Sequence, residues 1–223
     1  MDPVTTTTAP ADGGVRTTRR RGQTRTRLLA AALQVLGEEG LARSSVERIC
    51  ERAGYTRGAF YSNFTSTDDV VAALFAQQAE ALLDHVEERL RQTPPAREGA
   101  GLTEVVAHVL AVLPRDRDWH AVRTEFTAQA LRNPEAAALL TTLRRELRGR
   151  LAPLLSGALE RSGRRLLVPA DELARAVVSV HEGTVTPHLL GDRSPDEAFL
   201  TRLVTGVLES LTTADPADGE VAP

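Results

Sequence analysis

The stretch SSVERICERAGYTRGAFYSNF, residues 44–64, decides how this chain is read. It spells two short helices joined by a tight turn. Ser44 or Ser45 can cap the first helix, and Glu47, three residues after Ser44, fits a reciprocal capping box. Val46, Ile49 and Cys50 then form one apolar stripe at helical spacing. Ala53-Gly54 ends that helix, because glycine enters the left-handed turn conformation at little cost. Thr56 can cap a second helix, in which Phe60 and Phe64, four apart, share the face turned to Val46 and Ile49. Arg57, Tyr61, Ser62 and Asn63 point elsewhere. A short helix held by a neighbour, with a polar outer face, is what the major groove of DNA accepts.

Working outward, residues 23–39 read as a preceding helix, with Leu29, Ala32, Leu33 and Leu36 in line and Gly40 closing it. It buttresses the pair, since two short helices cannot make a core alone. Residues 65–91 read as one long helix. Asp68 and Asp69 suit its positive end, and Val71, Leu74, Phe75, Leu82, Val86 and Leu90 mark its buried face.

With LLAAALQVLGEEG at 28–40, SSVERIC at 44–50, AGYTRGAFYSNF at 53–64 and Ser66-Thr67-Asp68-Asp69 after them, residues 22–75 resemble the DNA-binding domain of TetR-family transcriptional regulators. The motifs are specific as a set and weak one by one. The remaining chain resembles the family's helical effector-binding domain in layout, with much less sequence specificity. The resemblance implies an all-α protein of about nine helices, with an N-terminal three-helix reader at 22–66 and a ligand-binding and dimerisation domain at 67–212. Residues 67–91 are the linking helix. It also implies a homodimer on a palindromic double-stranded DNA operator, usually as a repressor released by a small-molecule effector, with no cofactor.

The implied DNA contacts are Thr24, Arg25, Ser44, Ser45, Thr56, Arg57, Gly58, Ala59, Tyr61, Ser62, Asn63 and Thr67. Thr24 and Arg25 are placed in the first turn of the first helix, near where the family meets a phosphate. Arg57 can pair bidentately with guanine or clamp a phosphate. Gly58 and Ala59 keep the helix slim, and the Ala methyl can touch thymine. Tyr61 matches a Tyr that the family uses on phosphate. Asn63 can pair with adenine, although its family position, often His, more commonly touches backbone. A Lys commonly follows the Ser of the Ser-x-Asp segment and reaches a phosphate. Thr67 stands there instead, so the expected salt dependence of DNA binding is slightly smaller.

Composition agrees with a divided protein. The chain has 223 residues and a net charge of −3. Residues 1–64 hold ten Arg against six acidic residues, a net +4, and the remainder 17 Arg against 24, a net −7. A basic end on an acidic body points to a polyanion met only by the first part. There is no Lys, and the single Cys gives no disulfide framework. No apolar run approaches the ~20 residues of a membrane span, and no signal-peptide pattern opens the chain. A soluble, cytoplasmic protein is expected. Residues 1–21 and 213–223 are expected to be disordered tails; Arg16, Arg19, Arg20 and Arg21 can reach a neighbouring minor groove.

Downstream, residues 93–101 read as a loop, 102–113 and 117–131 as helices, and Asn133-Pro134 as the cap and first turn of a helix reaching about 162. Pro153 should kink or divide that helix near Gly149. Helices at 170–190 and 195–211 complete the chain, and no alternation argues for a sheet. Chemical type selects His108, Trp119, Arg123, Phe126, His181 and Glu182 as candidate pocket residues. The last two helices are the expected dimer interface through Val180, Gly183, Leu203, Gly206, Val207 and Leu208. His181, Glu182 and His188 lack the spacing of a helical metal site. Two other readings stay open: a DNA-binding dimer without a ligand, favoured by a domain with no cavity, and a helical-bundle enzyme carrying a vestigial reader. No nucleophile–base pair or phosphate loop supports the enzyme.

Overall fold

The computed structural model describes residues 13–92, 102–111, 116–191 and 197–214, with side chains from residue 21 onward except His108 and Glu197. The expected tail at 1–12, the loop at 93–101, the helix end at 112–114, the helix start at 194–196 and the tail beyond 214 lie outside the described residues.

The first helix, α1, runs from Gly13 to Glu39. It starts ten residues before the expected point, so residues 13–21 are helical and not a disordered tail. Arg is a good helix former and no proline lies between Pro10 and the end of α1, so a packed helix can extend backward without a new nucleus. Arg21 is held there, donating Nη2–H to the Ser62 carbonyl at 2.9 Å. Thr24 and Arg25 therefore lie three turns inside α1, away from its terminus.

Next come α2 (Val46–Ala53), α3 (Arg57–Tyr61) and α4 (Thr67–Gln92). Gly54 turns the chain between α2 and α3 at φ 71°, and the Tyr55 N–H donates back to the Cys50 carbonyl at 2.9 Å. The first core packs Leu28, Ala32, Val35 and Leu36 of α1 on Ile49, Phe60 and Phe64 and on Val70, Val71 and Leu74 of α4. Truncating a fully buried ring such as Phe60 costs ~3–5 kcal/mol. This core does not stop at residue 66. Val122 and Phe126 of α6 (Arg117–Ala130) and Ala136 and Leu140 of α7 (Pro134–Arg161) belong to it.

The second half adds α5 (Leu102–Leu110), α8 (Ala170–Leu189) and α9 (Glu197–Leu211). Asn133 caps α7, its side-chain oxygen accepting from Glu135 N at 2.9 Å and Ala136 N at 3.3 Å. The expected division of α7 is absent: the helix continues through Pro153, which is solvent-exposed, as is Gly149. A sheet that the sequence did not announce is present. Strands β1 (Arg164–Leu166) and β2 (Thr212–Ala214) pair antiparallel, with Leu166 opposite Thr212. Three residues per strand are too few to show alternation. Thr213 and Ala214 are thus strand, not tail. Nine helices stand among the described residues, and none is long and apolar enough to cross a membrane.

Candidate nucleic-acid interface and ligand cavity

Local capping shapes the reader. Ser45 caps α2, its Oγ accepting from Arg48 N at 3.3 Å. Ser44 instead donates its hydroxyl to the Leu41 carbonyl at 3.1 Å, so the box between Ser44 and Glu47 does not form. Thr56 caps α3, accepting from Ala59 N at 3.2 Å. Arg48 binds Glu39 at 2.6 Å and Arg52 binds Glu38 at 2.7 Å, which ties α2 to α1. These arginines hold both carboxyls below their ordinary range.

Phe60 points inward, fully buried, and the outer face of α3 carries Arg57, Gly58 and Tyr61, the last 51% exposed. A Cβ added to Gly58 would meet only Thr56 Oγ1, at an ordinary 3.7 Å. The fold therefore does not require glycine there. Arg57 Nη1 lies 2.6 Å from Glu47 Oε1, and its guanidinium stands 6.0 Å from the Tyr61 ring. The Tyr61 side chain and then Glu47 raise the Arg57 pKa. Such an exposed pair adds little net stability and gives way readily to another anion.

Ser62 is exposed and Asn63 half-buried, and both bond back to α3. Ser62 Oγ donates to the Ala59 carbonyl at 2.8 Å, and Asn63 Nδ2 donates to the same carbonyl at 2.8 Å. Both spend their donors closing α3, and Asn63 is half-buried with its Oδ1 turned inside. Residues just past a helix end satisfy its open carbonyls. Arg25 stacks 5.1 Å above the Phe64 ring. Thr67 opens α4 behind Ser66, whose Oγ accepts from Asp69 N at 3.1 Å. Arg21, expected in a tail, stands beside the end of α3. Its only sequence signal was an unbroken run of helix-compatible residues. Cys50 is buried and its thiol pKa is raised by burial, which suits packing.

The second half holds a cavity of about 580 Å³, partly open to solvent, between α4, α5, α6, α7, α8 and α9. Trp119, Arg123, His181 and Glu182 line it as expected from their chemistry. Phe126 does not: it is fully buried in the first core, its ring 5.9 Å from that of Phe75. It shares the apolar stripe of Val122, which faces α1. The His108 side chain lies outside the described residues. Sequence reading missed His120 and Arg144, as well as the apolar wall of Phe75, Leu147 and Leu151. The signal for His120 was available: it flanks Trp119 and precedes Arg123 by three, on one side of α6.

One part of the wall is polar. Arg123 Nη1 donates to Glu182 Oε1 at 2.7 Å, and the two side chains are only 16% and 29% exposed. Arg123 Nη2 approaches His120 Nδ1 at 3.1 Å, and His120 Nε2 approaches Thr186 Oγ1 at 2.8 Å. A guanidinium can only donate, so Nδ1 is the acceptor and Nε2–H donates to Thr186. Burial, then the Arg123 charge, lowers the His120 pKa, with Glu182 opposing. Burial likewise lowers that of Arg123, and Glu182 opposes.

Of the expected interface, Gly183, Leu203 and Gly206 face outward, Leu203 at 39% exposure beside Phe199 at 41%. Nothing lies within 4 Å of a Cβ added at either glycine. Val180 and Val207 are half-buried. Leu208 is inside the protomer, 6% exposed in a core with Val106, Leu110 and Leu173. The apolar run of α9 has two faces, and Leu208 falls on the one that closes over α5.

Comparison with known proteins agrees with this geometry. The family model of bacterial regulatory proteins, tetR family, matches residues 28–74, and that of the BetI-type transcriptional repressor, C-terminal, matches residues 98–213. The HTH-type transcriptional regulator UidR of Escherichia coli (strain K12) is 28% identical over 118 residues, 52% of this chain and 57% of that protein. The chain thus spans little more than half the length of that relative. The HTH-type transcriptional repressor AcnR of Corynebacterium diphtheriae is 26% identical over 193 residues, 86% of this chain and 94% of that one. The crystal structure of the regulator FadR from Bacillus subtilis, in complex with stearoyl-CoA, superposes with a TM-score of 0.63 at 21% identity, covering 82% of this chain and 96% of that one. With one family model on the reader and another over more than half of the chain, the protein belongs to the TetR family.

Proposed function

We propose that the protein is a homodimeric, sequence-specific binder of double-stranded DNA that represses transcription and leaves a palindromic operator when a small molecule fills the cavity. The observation that carries this reading is the outer face of α3. Gly58, dispensable to the fold, lies between Arg57 and Tyr61 on a helix whose other side is anchored by Phe60. That combination lets backbone approach a groove while a phenol and a guanidinium reach phosphate or a base edge. Thr67, at the start of α4, adds a hydroxyl beside a helix N-terminus, where phosphate is favoured. Arg25, stacked on Phe64 just past α3, adds a guanidinium beside the same helix.

The name of AcnR as a repressor supports the sign of regulation. The cavity, and the stearoyl-CoA in FadR, support a ligand over a domain that only dimerises. The outward faces of α8 and α9, with Gly183, Leu203 and Gly206, supply the dimer contact. The ligand acts by binding the released state better than the DNA-bound state, since equal affinity would shift nothing. Selection of DNA from a random library by the purified protein, at fixed moderate salt, tests the reading. A palindrome with half-sites about one helical turn apart, or a small multiple, is expected. Weak, salt-sensitive binding with no enriched sequence would overturn it.

A further inference from the structure

We propose that the cavity takes an elongated apolar molecule ending in a carboxylate, and that Arg144 is the side chain that receives the carboxylate. The proposal rests on the reading of the cavity as an effector site. The wall is chemically divided. His120, Arg123, Arg144 and Glu182 gather where α6, α7 and α8 meet. Leu90, Val106, Leu110, Leu159 and Val204 line it elsewhere. Arg144 and Leu159 both line the cavity, and their separation of fifteen helical steps puts ~22 Å of α7 along it. Glu80, Glu146, Arg148, Arg150 and Arg175 also line it; an occupant that suits both the apolar stretch and the cluster of His120 and Glu182 has an apolar body and a polar end.

The charge of that end is decided by counting partners. Two guanidiniums share one carboxylate. Arg123 is spent, with one nitrogen on Glu182 and the other on His120. His120 accepts from Arg123 and so carries no positive charge of its own in this arrangement. Among the described residues Arg144 makes a single ion pair, to Glu182 Oε2 at 3.6 Å, too long for a hydrogen bond. Its planar fork of donors is thus unsatisfied by protein and half-exposed at the cavity wall. A carboxylate answers such a fork with two parallel hydrogen bonds. A cationic head would meet two guanidiniums, and a neutral head would leave one charge uncompensated. The same imbalance recurs nearby, where Arg148 and Arg175, both on the wall, share Asp171 at 3.2 Å each.

The chain carries its own reporter, because Trp119 lines the cavity and is its one tryptophan. Decanoate, 1-decanol and decylammonium, each below micelle formation, are titrated into the full-length protein while Trp119 emission and binding heat are followed. Decanoate is expected to bind at least tenfold more tightly than decanol, in line with a charged hydrogen bond, with decylammonium weakest. Arg144→Gln should erase the gap between acid and alcohol while leaving the alcohol unchanged; if that variant loses its circular dichroism, Arg144→Lys, which keeps charge and loses the fork, should narrow the gap. Equal binding of acid and alcohol, preference for the ammonium, a gap surviving both substitutions, or no response to any of the three would each overturn the assignment. The regulatory reading fails separately: decanoate bound at Arg144 without any change in affinity for the selected DNA would retain the site and remove its role as effector site.

Discussion

Gly37 of α1 and Asp118 of α6 meet so closely that a Cβ placed on Gly37 would lie 2.6 Å from the Asp118 Cβ and 2.9 Å from its Cα. One turn on, a Cβ on Gly40 would lie 2.9 Å from Glu125 Oε1, and Glu125 Oε2 accepts from Leu41 N at 2.6 Å. Asp118 and Glu125, seven apart, form one stripe of α6 against the reader. Trp119, His120 and Arg123 form the neighbouring stripe on the cavity. One fourteen-residue helix thus touches both halves of the protein.

The contact at Gly37 predicts a sign. In an open helix interior, replacing Gly by Ala stabilises by about 1 kcal/mol. Here the methyl meets the backbone of a second helix, so Gly37→Ala should destabilise by ~1–3 kcal/mol. Urea unfolding measures it, and a stabilised variant would mean that α1 and α6 are not in this contact.

On the reader, Tyr61→Ala should weaken binding to the selected operator across all sequences with the salt slope little changed, because a phenol carries no charge, and with the dimer intact. Arg57→Ala separates two roles. Relaxed preference at one position identifies a base contact, and uniform weakening a phosphate contact. Fluorescence anisotropy on matched and mutated operators reads both, and unchanged affinity in Tyr61→Ala would remove that residue from the interface.

Helix α9 offers a paired test. Leu203→Arg, on the outward face, should keep the circular dichroism of the parent and yield monomers by light scattering. Leu208→Arg should instead lose the fold, since it puts an unpaired charge into the core beside Val106 and Leu173. A folded dimer in either variant would contradict the assignment of that face.

His120 gives a pH dependence. Its pKa is held below the ordinary 6.5, first by burial and then by Arg123. The unfolded chain takes up this proton at a higher pH than the folded one. The stability conferred by neutral His120 is therefore complete above the unfolded pKa and lost as pH falls through the depressed one. Besides Arg123, the groups facing it are Glu182 and Thr186, with Arg144 behind Glu182. His120→Gln keeps an acceptor and a donor without the titration. Its melting temperature should fall less than that of the parent between about pH 7.5 and about pH 5.5; equal losses would assign the dependence to other groups.

What was legible in the sequence was chiefly what is local. The caps at Thr56 and Asn133, the turn at Gly54 and the inward pair Phe60 and Phe64 follow from residue type and spacing. The motif set also identified the family. What was not legible depends on partners distant along the chain. Phe126 and Trp119 both read as aromatic residues on the same helix, and only the position of α1 decides which one is core. Leu208 and Leu203 read as one apolar run until α5 covers one of them. Arg144 is one of many arginines in α7, and its distinction lies in sharing Glu182 from α8 with Arg123 from α6. The back-bonding of Ser62 and Asn63 to the Ala59 carbonyl was not legible either, because it depends on α3 ending after five residues.

The small ribbon near the C-terminal end sets a rotation. Its register pairs Leu166 with Thr212, and Thr212, 4% exposed, donates its hydroxyl to the Leu208 carbonyl at 2.6 Å while accepting from Arg164 Nε at 2.7 Å. A slip of one residue would exchange the two sides of a strand and turn Thr212 out. Because β2 continues directly from α9, that slip would also have to turn the helix about its own axis. Three strand residues therefore work as a key in a lock. They fix the angular setting at which α9 turns Leu208 in and Leu203 out, and so which version of its surface a second copy of the chain would meet.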